Sequence, residues 1–346
     1  MAVYGFLNFS LLEQFVTHSS RRRFLAQTAA HTAVLATASV AGWRWSWAAE
    51  RPIRILVGFP PGGGTDVIAR LLQEPLSQRL GRTVIIENKP GAGGQIAAQQ
   101  LKTAPADGST LFLTHDHTIS ILPQVVRHAG FAPAQDFEPV GGFASFVNSF
   151  AVSALHPAKT FAEYLEWVRK EAGGRSAVGI PAPASTPEFL VKQLASRYQL
   201  DLISAPYKGS GPMIGDMLGR QIEAGVGSVP DFVNYHREGK LRVLAVLGGQ
   251  RQPLLPEVPT FSELGMPGLE DMPYYGIYAP KGVPAAFTQR FAQALTDSVQ
   301  EPQIRQQLQV LGLVVDPMTP TQLRQREQAY TGVWKRIIED SGFKPQ

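Results

Sequence analysis

A chain that alternates short apolar runs with amphipathic stretches has few ways to fold, and this one does so from Arg51 onward. Ile53–Phe59, Thr83–Glu87 and Thr110–Thr114 read as strands, with helices at Val67–Leu80 and Gln95–Lys102 where apolar residues recur at helical spacing. After a less regular stretch, Ser149–Val152 reads as a connecting strand. A second run follows, with helices at Phe161–Glu171, Glu188–Arg197, Met213–Leu218 and Phe232–Glu238. Strands at Ala177–Ile180, Asp201–Ala205, Gln221–Val226 and Leu241–Leu247 alternate with them. The Pro- and Gly-rich passage from Pro253 to Pro273 reads as irregular. Tyr274–Ala279 then reads as a second connecting strand, before a helix at Ala285–Val299 and a terminal helical region ending near Asp340.

This alternation predicts an α/β fold of two mostly parallel sheets with flanking helices. At 346 residues the chain is too long for one ordinary core, and 44% apolar content sets it apart from disordered chains. Two α/β blocks and a late segment able to return to the first predict two lobes joined by two crossover strands. The expected division is 50–150 plus 275–346 for the first lobe and 151–274 for the second.

The first 49 residues read as a leader. Ser20-Arg21-Arg22-Arg23-Phe24-Leu25 is a twin-arginine pattern, and the stretch after it is too polar for a good membrane span. Ser46-Trp47-Ala48 offers small residues for cleavage near Ala48, so the mature protein is expected in the periplasm. Arg21, Arg22, Arg23 and Arg44 face only Glu13 in this segment, so much of the net +4 belongs to the leader. The remainder shows no basic stripe with interleaved aromatics, which argues against nucleic acid. The chain has no cysteine, which excludes disulfides, thiolate catalysis and a lipidated cysteine.

The loop Phe59-Pro60-Pro61-Gly62-Gly63-Gly64-Thr65-Asp66 sits between a strand and a helix, with Thr65 the expected N-cap. Glycines there bring backbone amides close to a ligand, and the helix N-terminus favours an anion. The same residues also suit a tight turn without a ligand. Gly91-Ala92-Gly93-Gly94 and Gly209-Ser210-Gly211 repeat the arrangement at further junctions, where open α/β sheets bind ligands. None of the three is a dinucleotide fingerprint or a P-loop, so no nucleotide cofactor is expected. His115-Asp116-His117 directly follows a strand and reads as a polar loop at the cleft edge. Its histidines suit hydrogen bonding, solute contact or metal ligation, and no third metal ligand can be assigned. Neither H-E-x-x-H nor G-x-S-x-G occurs.

The ordered series FPPGGGTD, VIIENKPGAGGQIAAQ, PADGSTLFL, PYKGSGP, GKLRVLAV, LPEVPTFSELGMPG and YYGIYAPKGVP resembles the Bug proteins. These are the extracytoplasmic solute receptors of tripartite tricarboxylate transporters. The resemblance spans nearly all of residues 51–340. It implies a periplasmic-binding-protein fold that closes on a small carboxylate and hands it to membrane permease subunits. The implied protein is a monomer without catalysis, metal or cofactor. A sensor subunit for a membrane kinase, or an exported α/β hydrolase, are the alternative readings.

By the same resemblance, Gly62, Gly63, Gly64, Thr65 and Asp66 reach the ligand from the first lobe, as do His115, Asp116, His117 and Thr118. Ser185, Thr186, Tyr207, Lys208 and Gly209 face it from the second. Three departures stand out. The loop after the third strand is usually small and polar, where this chain has two histidines. A usual G-x-G-S-S-x-H segment reads Ala182-Pro183-Ala184-Ser185-Thr186-Pro187-Glu188. An acidic residue common after the Gln221–Val226 strand is replaced by Gly227-Ser228. The pocket is therefore expected to hold one carboxylate fewer and a ligand more anionic or bulkier than a plain amino acid. Asp66 sits awkwardly beside an anion. Bridging water, service to the helix N-terminus, or a ligand hydroxyl or amine would each resolve this.

Overall fold

The computed structural model describes residues 51–268, 270 and 272–345. The twin-arginine segment and the cleavage near Ala48 lie outside the described residues.

β1 (Ile53–Val57) runs parallel to β2 (Val84–Asn88) on one side and β3 (Thr110–His115) on the other, with Ile55 opposite both Ile86 and Leu111. α1 (Gly64–Leu80) and α2 (Gln95–Lys102) make the two crossovers. β1 is apolar on both faces because both faces are covered. Ile55 and Val57 join one core cluster and Leu56 another. Each such side chain contributes roughly 1.5–3 kcal/mol by full burial.

The chain then changes sheets. β4 (Phe137–Ser145) belongs to the first and β5 (Asn148–Ser153) to the second, with only Phe146 and Val147 between them. The second sheet is built from α3 (Phe161–Lys170), β6 (Arg175–Ile180), α4 (Thr186–Tyr198), β7 (Asp201–Pro206), α5 (Ser210–Leu218), β8 (Ala224–Ser228), α6 (Val229–Arg237) and β9 (Leu241–Val246). Residues 247–273 lead back to β10 (Tyr274–Pro280) in the first sheet. α7 (Ala285–Gln300), α8 (Pro302–Val310), β11 (Val314–Met318) and α9 (Pro320–Asp340) complete the chain.

The strand orders are β11-β4-β10-β3-β1-β2 and β7-β6-β8-β5-β9. Both sheets are mixed rather than mostly parallel. The β-α-β crossovers give parallel pairs, whereas β10 and β5, which arrive from the other sheet, pair antiparallel with both neighbours. The two connecting strands expected from sequence are thus central members of their sheets. β4 and β11 are additions to the sequence reading. Pro139, Gly141 and Gly142 blur the strand signal of β4, which is nonetheless almost wholly buried. β11 carries Pro317 and sits at a sheet edge, where a missing N–H donor is tolerated.

Candidate functional site

Between the two sheets lies a cavity of about 570 Å3, counting the space at its mouth. The first turns of α1, α4, α5 and α6 all border it, through Gly63–Thr65, Ser185–Pro187, Ser210, and Ser228 with Asp231. Each first turn leaves N–H groups without intrahelical partners and carries a partial positive charge. These four helices follow β1, β6, β7 and β8, and each strand delivers its helix N-terminus to the same place. The remaining wall is largely ring-bearing, made of Phe59, His115, His117, Phe146 and Tyr275.

α1 begins two residues earlier than expected. Gly63 is its N-cap, with extended backbone, and Thr65 lies inside the first turn. Gly62 adopts φ +82 and faces an adjacent pocket. Asp66 is buried and turned into the loop rather than the cavity. Its carboxylate accepts from the Gly62 N–H (2.9 Å), Asn88 Nδ2 (2.9 Å) and Arg70 Nε (3.0 Å). Burial acts to raise its pKa, and the bonds from Arg70, Gly62 and Asn88 outweigh it and hold the group below its ordinary value. The Asp66 charge is thus met by Gly62, Arg70 and Asn88 rather than presented to the cavity.

His115 ends β3, and His117 opens a turn over His117–Ile121 with wide, i to i+5 hydrogen bonding. The segment is therefore a buried wall, not a polar loop at the edge. His115 stacks on Phe59 at 4.9 Å and meets Phe146 and Tyr275 edge-on at 5.8 and 5.6 Å. Its Nδ1 lies 3.3 Å from Asp116 Oδ1. His117 is 4% exposed, and neither ring nitrogen has a hydrogen-bond partner. Burial, helped by the neighbouring His115, pushes its pKa down to about 3, so the ring is neutral. Thr118 sits behind the wall, donating from Oγ1 to the Gly93 carbonyl at 2.8 Å. Among the described residues no group of three or more His, Asp or Glu is placed to hold a metal ion.

In the second half, Ser185, Thr186 and Ser228 line the cavity. Tyr207, Lys208 and Gly209 do not. They line a neighbouring pocket with Gly91, Ala92 and Gly93, and the Tyr207 hydroxyl donates to Asp216 at 2.8 Å. Burial, reinforced by Asp216, pushes that phenol up to about 12. Gly227 packs beneath the site, where an added Cβ would meet Phe232 at 3.0 Å.

The expected loss of a carboxylate does not occur. Asp231, three residues beyond Ser228, projects into the cavity from the first turn of α6. Its Oδ1 accepts from the Gly64 N–H (3.1 Å) and Ser210 Oγ (2.6 Å), and its Oδ2 from Ser228 N–H (3.0 Å) and Oγ (2.6 Å). Gly64 belongs to the first half and Asp231 to the second, so this carboxylate ties the two together. The S-x-x-D spacing of a capping box was the available signal. Phe146, Asn148 and Tyr275 also line the cavity without having been singled out, as do Phe59 and Ser210, which belonged to the glycine-rich loops read from sequence but were not assigned to the ligand. Burial raises the Tyr275 phenol, the Asp231 charge adds to this, and a hydrogen bond with Thr65 partly offsets it.

Two mixed α/β sheets exchanging strands twice, with helix N-termini gathered at the cleft between them, define a solute-binding protein of the periplasmic-receptor class. Residues 68–343 match TctC, the tripartite tricarboxylate transporter family receptor. The chain belongs to that family. BugT of Bordetella pertussis is 30% identical over 85% of this chain and 90% of its own. A protein of R. palustris solved with adipate is 27% identical, covering 87% of this chain and all of that one, with a TM-score of 0.81. MatC of Rhodopseudomonas palustris, solved with malate, is 26% identical over 84% of this chain and 99% of that one, with a TM-score of 0.77.

Proposed function

We propose that this chain is an exported receptor that captures a small carboxylate in the periplasm and delivers it to the membrane subunits of a tripartite tricarboxylate-type transporter. The observation that carries the reading is the meeting of four helix N-termini at one cavity. Such ends bind anions through backbone N–H groups and need no lysine or arginine. The adipate and malate in two relatives support the same ligand chemistry.

In this reading the first-turn N–H groups of Thr65, Ser185 and Thr186 face the solute, and Asp231, which takes the Gly64 N–H and the Ser210 and Ser228 hydroxyls, holds the first turns of α1, α5 and α6 together around it. Residues 50–150 plus 275–346 form one lobe and 151–274 the other, hinged where the chain changes sheets. The twin-arginine leader, cleaved near Ala48, takes the protein across the membrane. The chain acts as a monomer, binds no cofactor and leaves its solute chemically unchanged.

Isothermal titration of protein unfolded and refolded to strip retained solute tests the reading. Saturable binding of at least one carboxylate, recovered unaltered, is expected. Turnover of the compound, or affinity only for cations and neutral solutes, would refute it.

A further inference from the structure

Resting on that carboxylate-receptor reading, we infer that the solute is a monocarboxylate built on a flat, uncharged ring, and that the His117 imidazole hydrogen-bonds to it. Three independent features of the cavity lead there.

The first is shape. Phe59 and His115 stack nearly parallel, 20° apart, while Phe146 and Tyr275 pack against each other at 4.9 Å and stand edge-on to His115. The prolines Pro181 and Pro187 line it as well. Ring faces and edges at these angles accept another ring in stacked or edge-to-face contact, which a flexible chain does not exploit.

The second is charge. Among the described residues lining the cavity there is no lysine or arginine, and the two acids are Asp116 and Asp231. Asp231 already receives four hydrogen bonds from the protein, and Asp116 is buried beside His115. With the Gly64 and Ser228 N–H groups and the Ser210 and Ser228 hydroxyls already given to Asp231, the first turns have donors for at most one solute carboxylate. A second carboxylate would lie against rings and Asp116, stripped of water and without a counter-charge. This favours the bulkier ligand of the two expected from sequence over the more anionic one.

The third is an unsatisfied group. His117 lines the cavity, is 96% buried, and has both nitrogens unpartnered. Buried polar groups find partners, and a neutral imidazole offers one donor and one acceptor. A substituent or carboxylate oxygen on the ring supplies the partner that the protein withholds.

The test is titration of the refolded full-length protein with benzoate, malate, adipate and benzylamine. Benzoate is expected to bind at least tenfold more tightly than malate or adipate. His117→Leu is expected to weaken benzoate tenfold or more while circular dichroism stays native. Phe146→Leu, a second variant, is expected to weaken benzoate more than malate. Malate or adipate binding with benzoate silent overturns this inference and leaves the carboxylate reading standing. Benzylamine alone binding, or silence from all four, overturns both. Benzoate held unchanged by His117→Leu removes His117 from the site.

Discussion

Two glycine-rich turns, Gly62–Gly64 after β1 and Gly91–Gly94 after β2, look alike in sequence and lead to helices on the same sheet. They do different things. The first brings the N-terminus of α1 to the cavity, where the Gly64 N–H meets Asp231 from the other half. The second faces the pocket lined by Tyr207 and Lys208 and braces the back of the histidine wall. An added Cβ on Gly93 would lie 2.5 Å from His117 Nε2, and one on Gly94 2.6 Å from Thr118 Oγ1. Both leave space for a close approach, the first at the cavity and the second against the histidine wall. A glycine-rich junction therefore identifies a place where backbone comes near something, and only topology says what.

The two turns touch at Gly58, where an added Cβ would sit 2.6 Å from Gly94 Cα. No side-chain rotation relieves that clash. Gly58→Ala is therefore expected to cost about 3 kcal/mol or more in urea unfolding, and to weaken solute binding by wedging both turns apart.

Gly93→Ala separates the roles more finely. Gly93 has φ +64 and Gly81, at the end of α1, has φ +65 with nothing near its missing Cβ. Gly81→Ala should cost about 1 kcal/mol from backbone strain alone. Gly93→Ala should cost about 2 kcal/mol, by the added contact, and should also weaken binding through His117. Equal effects of the two substitutions on both readouts would break the distinction between a bracing turn and an ordinary one.

The histidine wall has a pH signature. The folded pKa of His117, about 3, lies below its ordinary 6.5, so the unfolded chain takes up the proton first. Its contribution is fully present above about pH 6.5 and is lost as pH falls toward 3. From pH 6.5 to about 5.5 the loss is about 1 kcal/mol, and His117→Leu should abolish it. Glu327 on α9 works in the opposite sense. Burial pushes its pKa up to about 7, against the opposing charge of Arg324. Its contribution is full below its ordinary 4.5 and is lost as pH rises through 7. Denaturation of Glu327→Gln should show that smaller loss, between about pH 4.5 and 7, removed.

Much of the fold was legible because parallel β-α-β units write their period plainly, as in β1 and α1. β4 and β11 were hidden by Pro139, Gly141, Gly142 and Pro317, residues that weaken a strand signal without preventing the strand. Of the site, the residues on helix first turns were legible from glycine, serine and threonine at junctions. Asp66 was read as cleft-facing because local spacing does not say which way a side chain turns. Its three partners come from Gly62, Arg70 and Asn88, and only the last is distant in sequence. Asp231 and Tyr275 were missed for the complementary reason. Tyr275 reaches the cavity through the return of the chain between sheets, which no local pattern records, and the S-x-x-D spacing of Asp231 signals a helix cap without saying what else its carboxylate meets. Lys208 was drawn toward the cleft by the resemblance, whereas the structure places it at the neighbouring pocket.

The most direct test of the account is a crystal structure with the tightest-binding carboxylate of the titration panel. The account predicts its carboxylate oxygens about 3 Å from N–H groups in the first turns of α1 and α4, with the His117 ring in contact. A carboxylate found instead beside Gly91, Tyr207 and Lys208 would contradict it, because the bracing turn would then be the binding one.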